Sequence, residues 1–344
     1  MKKPLFLFLL FYFLPVFSQK LEIQTLLKDK ISIRALQISE GKVYYIGTDS
    51  KFGFVSLKDS VDKKQIKLSD KKLQFRTLAQ SEDAFYTASI ESPAYFFRID
   101  KKNLSSEIVK IDSAKNAFYD AIKYNKWNQK FYAFSDPEDD RQFKMLHFDE
   151  KNDQFHCNST AADDFLLNAG EAAFAASNTN IAVYKNYVWV ATGGKSSRIF
   201  KFYDDNPIHA KIIETPFIQG TSSQGIYSID FYDDKFGIAV GGDYTKQSEN
   251  TNNIATTNDG GETWQIQASG KNAGYKTCVK IRPKSKGKDI IAVGDQNIEF
   301  SSDFGKTWTT ISHEKNLYVC EWIDKNMLVF AGKDRIIKAT FIKK

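Results

Sequence analysis

A strand–turn–strand unit recurs along this chain, and it limits the possible folds more than any other feature. It reads SIRALQISEGKVYYIG from Ser32, QFRTLAQSEDAFYTAS from Gln74, FYDAIKYNKWNQKFYAFSD from Phe118 and EAAFAASNTNIAVYKNYVWVATGG from Glu171. It continues as GIYSIDFYDDKFGIAVGGD from Gly225, GYKTCVKIRPKSKGKDIIAVGD from Gly274 and NLYVCEWIDKNMLVFAG from Asn316. The starts lie 42 to 54 residues apart, the length of a four-stranded propeller blade. Each pair leaves room for two more strands, such as KFGFVSL and KKQIKLS in the first unit. The last unit lacks a fourth strand, and KLEIQTLL, residues 20–27, is a lone strand ahead of the first. Letting one supply the other closes the ring and removes the exposed edges that all-β proteins must otherwise protect. The spacing therefore predicts an all-β, seven-bladed β-propeller of four-stranded blades, with the N-terminal strand closing the last blade. Longer insertions in the third and fourth units leave six or eight blades as alternatives.

The bulk numbers fit one large β domain. Of 344 residues, 42% are hydrophobic, with 28 Phe and 16 Tyr but only 7 Pro. That is enough apolar material for an extensive core of strands. The net charge of +6 is spread along the chain beside acidic residues, so no basic stripe marks a nucleic-acid partner. The opening MKKPLFLFLLFYFLPVFSQ has two lysines, a short apolar run, and small residues at Val16 and Ser18. This pattern predicts a signal peptide over 1–18, a single propeller domain over 19–344, and export to the periplasm or beyond. No later run is long enough for a membrane span, and a monomer is expected. Cys157, Cys278 and Cys320 are an odd number for an exported protein. Cys278 and Cys320 sit at near-equivalent places in adjacent units. The expectation is that they are too far apart to bridge and serve as small core residues.

Two phrases stand out: TTNDGGETW at 256–264 and SSDFGKTW at 301–308. Each falls between the third and fourth strands of its unit. Asp259 and Asp303 can accept backbone N–H groups of the turn, and Gly261 and Gly305 supply conformations other residues resist. Thr257, Thr263, Ser301 and Thr307 add hydroxyls, and Trp264 and Trp308 can bury rings between blades. Such a self-satisfying constellation reads as scaffolding.

These phrases match the Asp-box, or BNR repeat, of sialidase-like propellers. With GEAAFAASNTNIAV, ATGGKSSRIF and GIYSIDFYDDKFGIAVGGDYTK, the chain resembles bacterial exported proteins similar to the photosystem II stability/assembly factor family. That resemblance implies a seven-bladed propeller that binds partner proteins rather than catalysing a reaction. The third and fourth units depart from it: FDEKNDQF and YDDNPIHA have neither the Gly nor the Trp.

Function is expected on the inner strands. Arg34, Arg76, Asp120 and Tyr227 occupy matching positions in their units, and Glu171 lies near the same end. The ends of the second strands add Asp136, Arg198, Asp243 and Tyr244. Charges gathered at one channel mouth suit a protein or cell-envelope partner, with a glycan as the alternative ligand. A sialidase-like glycoside hydrolase using this Arg/Asp/Glu/Tyr cluster is the competing reading. FFRID around Arg98 is its nearest motif, but Asp100 replaces the expected proline. No cofactor is expected, since neither GxGxxG nor CxxC occurs. No metal site is expected either, because His147, His156, His209 and His313 are scattered and SDPEDD lacks a calcium-loop pattern. No catalytic residue is assigned.

Overall fold

A computed structural model describes residues 20–138, 141–149, 155–157, 166–203 and 206–342. Every regular element among them is a β-strand. The segment read as a signal peptide, and Asp139 and Asp140 of the SDPEDD stretch, lie outside the described residues. No helix among the described residues is long and apolar enough to cross a membrane.

The strands form a β-propeller of six hydrogen-bonded sheets, four of them four-stranded and two six-stranded. Within a sheet, burial falls from the inside outward. In the sheet that contains the second unit, Ala84–Ala88 is buried throughout, whereas the outer strand Ser106–Asp112 is mostly exposed. The outer strand Lys63–Lys67 is likewise polar and exposed. The inner strand is therefore buried and largely apolar and the outer strands are exposed and more polar, the pattern of sheets packed face to face around an axis.

The core is divided among the junctions between neighbouring sheets. Tyr86 packs with Phe131 across one junction, and Tyr132 with Val188 across the next. Trp189 packs with Ile229, and Ile238 with Val279. Each aromatic ring buried here removes roughly 150–250 Å² from water.

The count of seven separate blades is corrected to six sheets. Lys20–Ser39 is one continuous strand. Its first half pairs antiparallel with Met327–Ile342, as in Leu21↔Phe341 and Thr25↔Ile337. Its second half pairs with Lys42–Gly47, as in Leu36↔Tyr45. The first and last repeat units thus share a strand and merge into one six-stranded sheet, ordered from Leu317–Trp322 to Lys63–Lys67. A single core cluster runs through it from Val319 and Ile337 to Val43 and Val55. Repeat spacing counts units along the chain, whereas hydrogen bonding between chain ends decides how many sheets they make. The other six-stranded sheet arises because the short strands Glu171–Ala172 and Gly193–Gly194 add to Gln224–Phe231 and its neighbours.

Candidate functional site

The two repeated phrases do lie at turns, between Ile254–Thr257 and Gln265–Ile266 and between Ile298–Ser301 and Thr309–Ser312. In the first, Asp259 Oδ1 accepts the Thr257 hydroxyl at 2.7 Å and the Thr263 N–H at 3.0 Å. Its Oδ2 accepts the Thr263 hydroxyl at 2.6 Å. The Gly261 N–H donates to Thr257 Oγ1 at 2.9 Å, and the Trp264 indole N–H to the Gly261 carbonyl at 3.2 Å. The second turn repeats each bond: Asp303 accepts from Ser301 at 2.8 Å and from both Thr307 groups at 2.9 and 2.6 Å. Gly305 donates to Ser301 and Trp308 to the Gly305 carbonyl, each at 2.9 Å. Gly261 and Gly305 adopt φ of 89° and 79°, the left-handed region open to glycine. Burial would raise the Asp259 carboxyl, but the Thr263 and Thr257 bonds outweigh it and hold the group down at about 2. Trp189 donates its indole N–H to the Gly260 carbonyl at 3.0 Å, fastening the turn to the preceding sheet.

A pocket of about 290 Å³ opens at one end of the channel, lined by Arg34, Arg76, Phe174, Tyr227, Tyr244, Gln247, Tyr275 and Asp295, among others. Bulges on the inner strands account for several side chains at this mouth. Between Ile33↔Gly47 and Ala35↔Ile46 the strand advances two residues against one on its partner, which leaves Arg34 as the extra residue. The same slip isolates Asp120 between Tyr119↔Ser135 and Ala121↔Phe134. It isolates Tyr227 between Ile226↔Gly241 and Ser228↔Val240, and Tyr318 between Leu317↔Gly332 and Val319↔Ala331. A bulge re-aims its extra side chain and frees it from the ladder.

Within the pocket, the Arg34 guanidinium donates to the Ala176 carbonyl at 3.1 Å and lies 4.1 Å above the Tyr318 ring. Arg76 reaches the Ala175 carbonyl at 3.5 Å. Among the described residues, neither arginine has a carboxylate within ion-pair distance. Burial and the positive charge of Arg34 both act against the charge on Arg76. The Phe174 ring stacks on Tyr227 at 3.8 Å, and Tyr275 meets Tyr227 edge-on at 4.8 Å. Burial raises both tyrosine hydroxyls, so these rings stay neutral. The result is a cationic, aromatic-walled recess.

Behind Arg76 lies a buried carboxyl pair. The Asp120 and Asp136 carboxyls are buried against each other, and Asp136 accepts the Ala173 N–H at 3.3 Å. Burial raises Asp120 well above the usual carboxylate range, reinforced by Asp136, and burial lifts Asp136 to about 6.

Of the residues singled out in the sequence, Arg34, Arg76, Tyr227 and Tyr244 meet in the pocket, with Asp120 and Asp136 behind it. Glu171 and Arg198 pair with each other instead, Nε to Oε2 at 3.0 Å, both buried. Arg198 also donates to the Leu166 carbonyl at 2.8 Å, and Glu171 accepts the Thr192 hydroxyl. Asp243 organises its own loop by accepting the Thr245 N–H at 2.9 Å and its hydroxyl at 2.6 Å. Arg98 lies in the third strand of its sheet, 3.6 Å from Glu107.

Sequence reasoning missed Phe174, Tyr275, Asp295 and Tyr318. Of these, Tyr318 carried a usable signal, since LYVCEW aligns with IYSIDF and gives it the position that Tyr227 holds in its own unit. Gln247 belongs to the polar loop after Asp243 and donates to Asp295 at 3.0 Å, joining two sheets at the rim.

Cys278 and Cys320 are both buried, as expected, but they are not far apart: their sulfurs lie 3.8 Å from each other. The strands Cys278–Ile281 and Leu317–Trp322 lie on neighbouring sheets that converge at the axis. Sequence equivalence gave no measure of that convergence. Further along the same strands, Lys280 pairs with Glu321 at 2.6 Å, and Asp230 accepts the Ile281 N–H at 2.8 Å. No group of three or more His, Cys, Asp or Glu among the described residues is placed to hold a metal ion.

No family model and no curated protein matches this chain. Among solved structures, it is similar to "YCF48 bound to D1 peptide", with a TM-score of 0.64 and 11% sequence identity. The match covers 94% of this chain and 97% of that one, so the likeness is one of whole fold.

Proposed function

We propose that this chain is an exported, non-enzymatic propeller that binds a protein partner, seating an acidic group of that partner between Arg34 and Arg76. The observation that carries the reading is the recess itself. Two guanidiniums each make a single bond to a backbone carbonyl, have no carboxylate partner among the described residues, and sit between aromatic walls. Arginine presents up to five N–H donors in a fixed fork, so most of this capacity is left for a carboxylate. A solved structure that shares the fold has a peptide bound, which fits the same use of a propeller.

The two doubled turns are read as Asp-box hairpins with a structural role. Their carboxylates are saturated by their own turns, which speaks against chemistry there. A sialidase-like reading needs three arginines on one substrate carboxylate, and the third candidate, Arg198, is held by Glu171. Export rests on the N-terminal sequence pattern alone.

The test is fluorescence anisotropy with short peptides that differ only in bearing a free or an amidated C-terminal carboxylate. Tighter binding of the free acid, weakened about tenfold in Arg34→Gln or Arg76→Gln, is the expected result. Equal binding of both peptides, or no change in the double variant, removes the assignment. Fractionation of cells expressing the full chain, with and without residues 1–18, checks export. A full-length chain retained in the cytoplasm would overturn that part.

A further inference from the structure

The contact between Cys278 and Cys320 has chemistry that neither the pocket nor the turns use. Both thiols are completely buried, and the sulfurs are in van der Waals contact at 3.8 Å. The strands that carry them belong to different sheets, Cys278–Ile281 to a four-stranded one and Leu317–Trp322 to the six-stranded closing sheet. Side-chain packing joins those sheets here, with Cys278, Val293, Val319 and Phe330 in one cluster.

We propose that Cys278 and Cys320 are a redox-active pair that hydrogen peroxide oxidises to a disulfide, stapling the closing sheet to its neighbour. The gap to a covalent S–S bond is about 1.8 Å. The surroundings of the two sulfurs differ. The Cys320 thiol faces the Cys278 sulfur, the Cys278 thiol faces the Cys320 carbonyl at 3.8 Å, and Lys280 lies two residues from Cys278 along the same strand. Burial pushes the Cys278 thiol up, but the Cys320 contact and the Lys280 charge bring it down to about 7, while burial leaves Cys320 well above the usual range. Cys278 is thus the nucleophile and Cys320 the resolving thiol.

Cys278 thiolate attacks one peroxide oxygen, the O–O bond breaks, and the leaving oxygen takes up a proton to depart as water. Cys278 is left as a sulfenic acid. The Cys320 sulfur then attacks the sulfenic sulfur, the S–O bond breaks, and the hydroxyl leaves as water with the Cys320 proton. Two thiols and one peroxide give one disulfide and two waters. The sulfurs together lose two electrons, and the peroxide oxygens gain them.

The experiment uses the full chain with Cys157→Ser, so that the third thiol takes no part, treated with hydrogen peroxide and measured by intact mass and by thiol titration after denaturation. Expected are a loss of two hydrogen masses, disappearance of both thiols, a crosslinked Cys278–Cys320 peptide in a non-reducing digest, and a Tm raised by several degrees that reductant reverses. Adding Cys320→Ser stops the reaction at a mass gain of one oxygen. Retention of both thiols after an exposed model thiol is consumed would overturn the proposal, as would added oxygens with no crosslink. If a cysteine variant does not fold, the non-reducing digest of the unsubstituted chain decides the same question by the presence or absence of the crosslinked peptide.

Discussion

The Thr257–Trp264 turn and the channel-mouth pocket are made from similar residues, namely acids, hydroxyl groups and aromatic rings, but they satisfy them in opposite ways. In the turn, the Asp259 carboxylate, the Thr257 and Thr263 hydroxyls and the Trp264 indole each find a partner within four residues along the chain. In the pocket, partners come from across the ring: Arg34 bonds a residue 142 positions away and Arg76 one 99 away. Those bonds are single. A segment that satisfies itself is bound to its own geometry, whereas groups converging from several strands keep capacity for something else. Density of reactive-looking residues in sequence therefore pointed to the scaffold, and scattered residues built the recess.

The sharpest way to break this contrast is to remove the anchor of each turn. Trp264→Ala or Trp308→Ala deletes a nearly buried indole and should cost about 3–5 kcal/mol of stability, read by chemical denaturation. Peptide binding by the protein that remains folded should be unchanged. A loss of affinity as large as the loss of stability would make the turns part of the site.

Next in size, Arg34→Gln should weaken acidic-peptide binding about tenfold, roughly 1.4 kcal/mol, with stability changed by less than that. Raising salt from low to high concentration should weaken wild-type binding and leave the variant nearly flat. A stability loss without an affinity loss would make Arg34 a strut for the Ala176 carbonyl and nothing more.

The two kinds of aspartate should give stability slopes of opposite sign against pH. Asp259 is held down at about 2 by its turn, below an ordinary carboxyl near about 3.9. The unfolded chain then binds the proton more readily, so stability is present above about pH 4 and is lost as pH falls toward 2. The carboxyl is exposed, so the effect stays below about 1 kcal/mol. Asp136 is lifted to about 6 by burial, so the folded state holds the proton more tightly than the unfolded chain. Its contribution is full below about pH 4 and is lost as pH rises to about 6. Tm measured against pH for Asp259→Asn and Asp136→Asn should flatten the lower and the upper slope respectively. Matching slopes would dissolve the distinction between the two environments.

The smallest effect belongs to Tyr244→Ala at the pocket rim. Tyr244 is 52% exposed, so its loss should change stability by no more than about 0.5 kcal/mol. A measurable drop in peptide affinity would place the rim in the contact.

The sequence by itself determined the all-β class and both self-bonded turns. Each of these depends on neighbours along the chain: alternation and apolar runs, strand spacing, and hydrogen bonds spanning a few residues. It also marked Arg34, Arg76, Asp120 and Tyr227 as equivalent, and for Arg34, Asp120 and Tyr227 a bulge at the same place in the unit underlies the match. Only the tertiary structure decided how many sheets the units make, since that turned on Lys20–Ser39 pairing with both chain ends. It alone paired Arg198 with Glu171 and took both away from the pocket. It alone brought Cys278 and Cys320 into contact. In all three cases the deciding contact is between residues far apart along the chain, and the packing and pairing of strands set it.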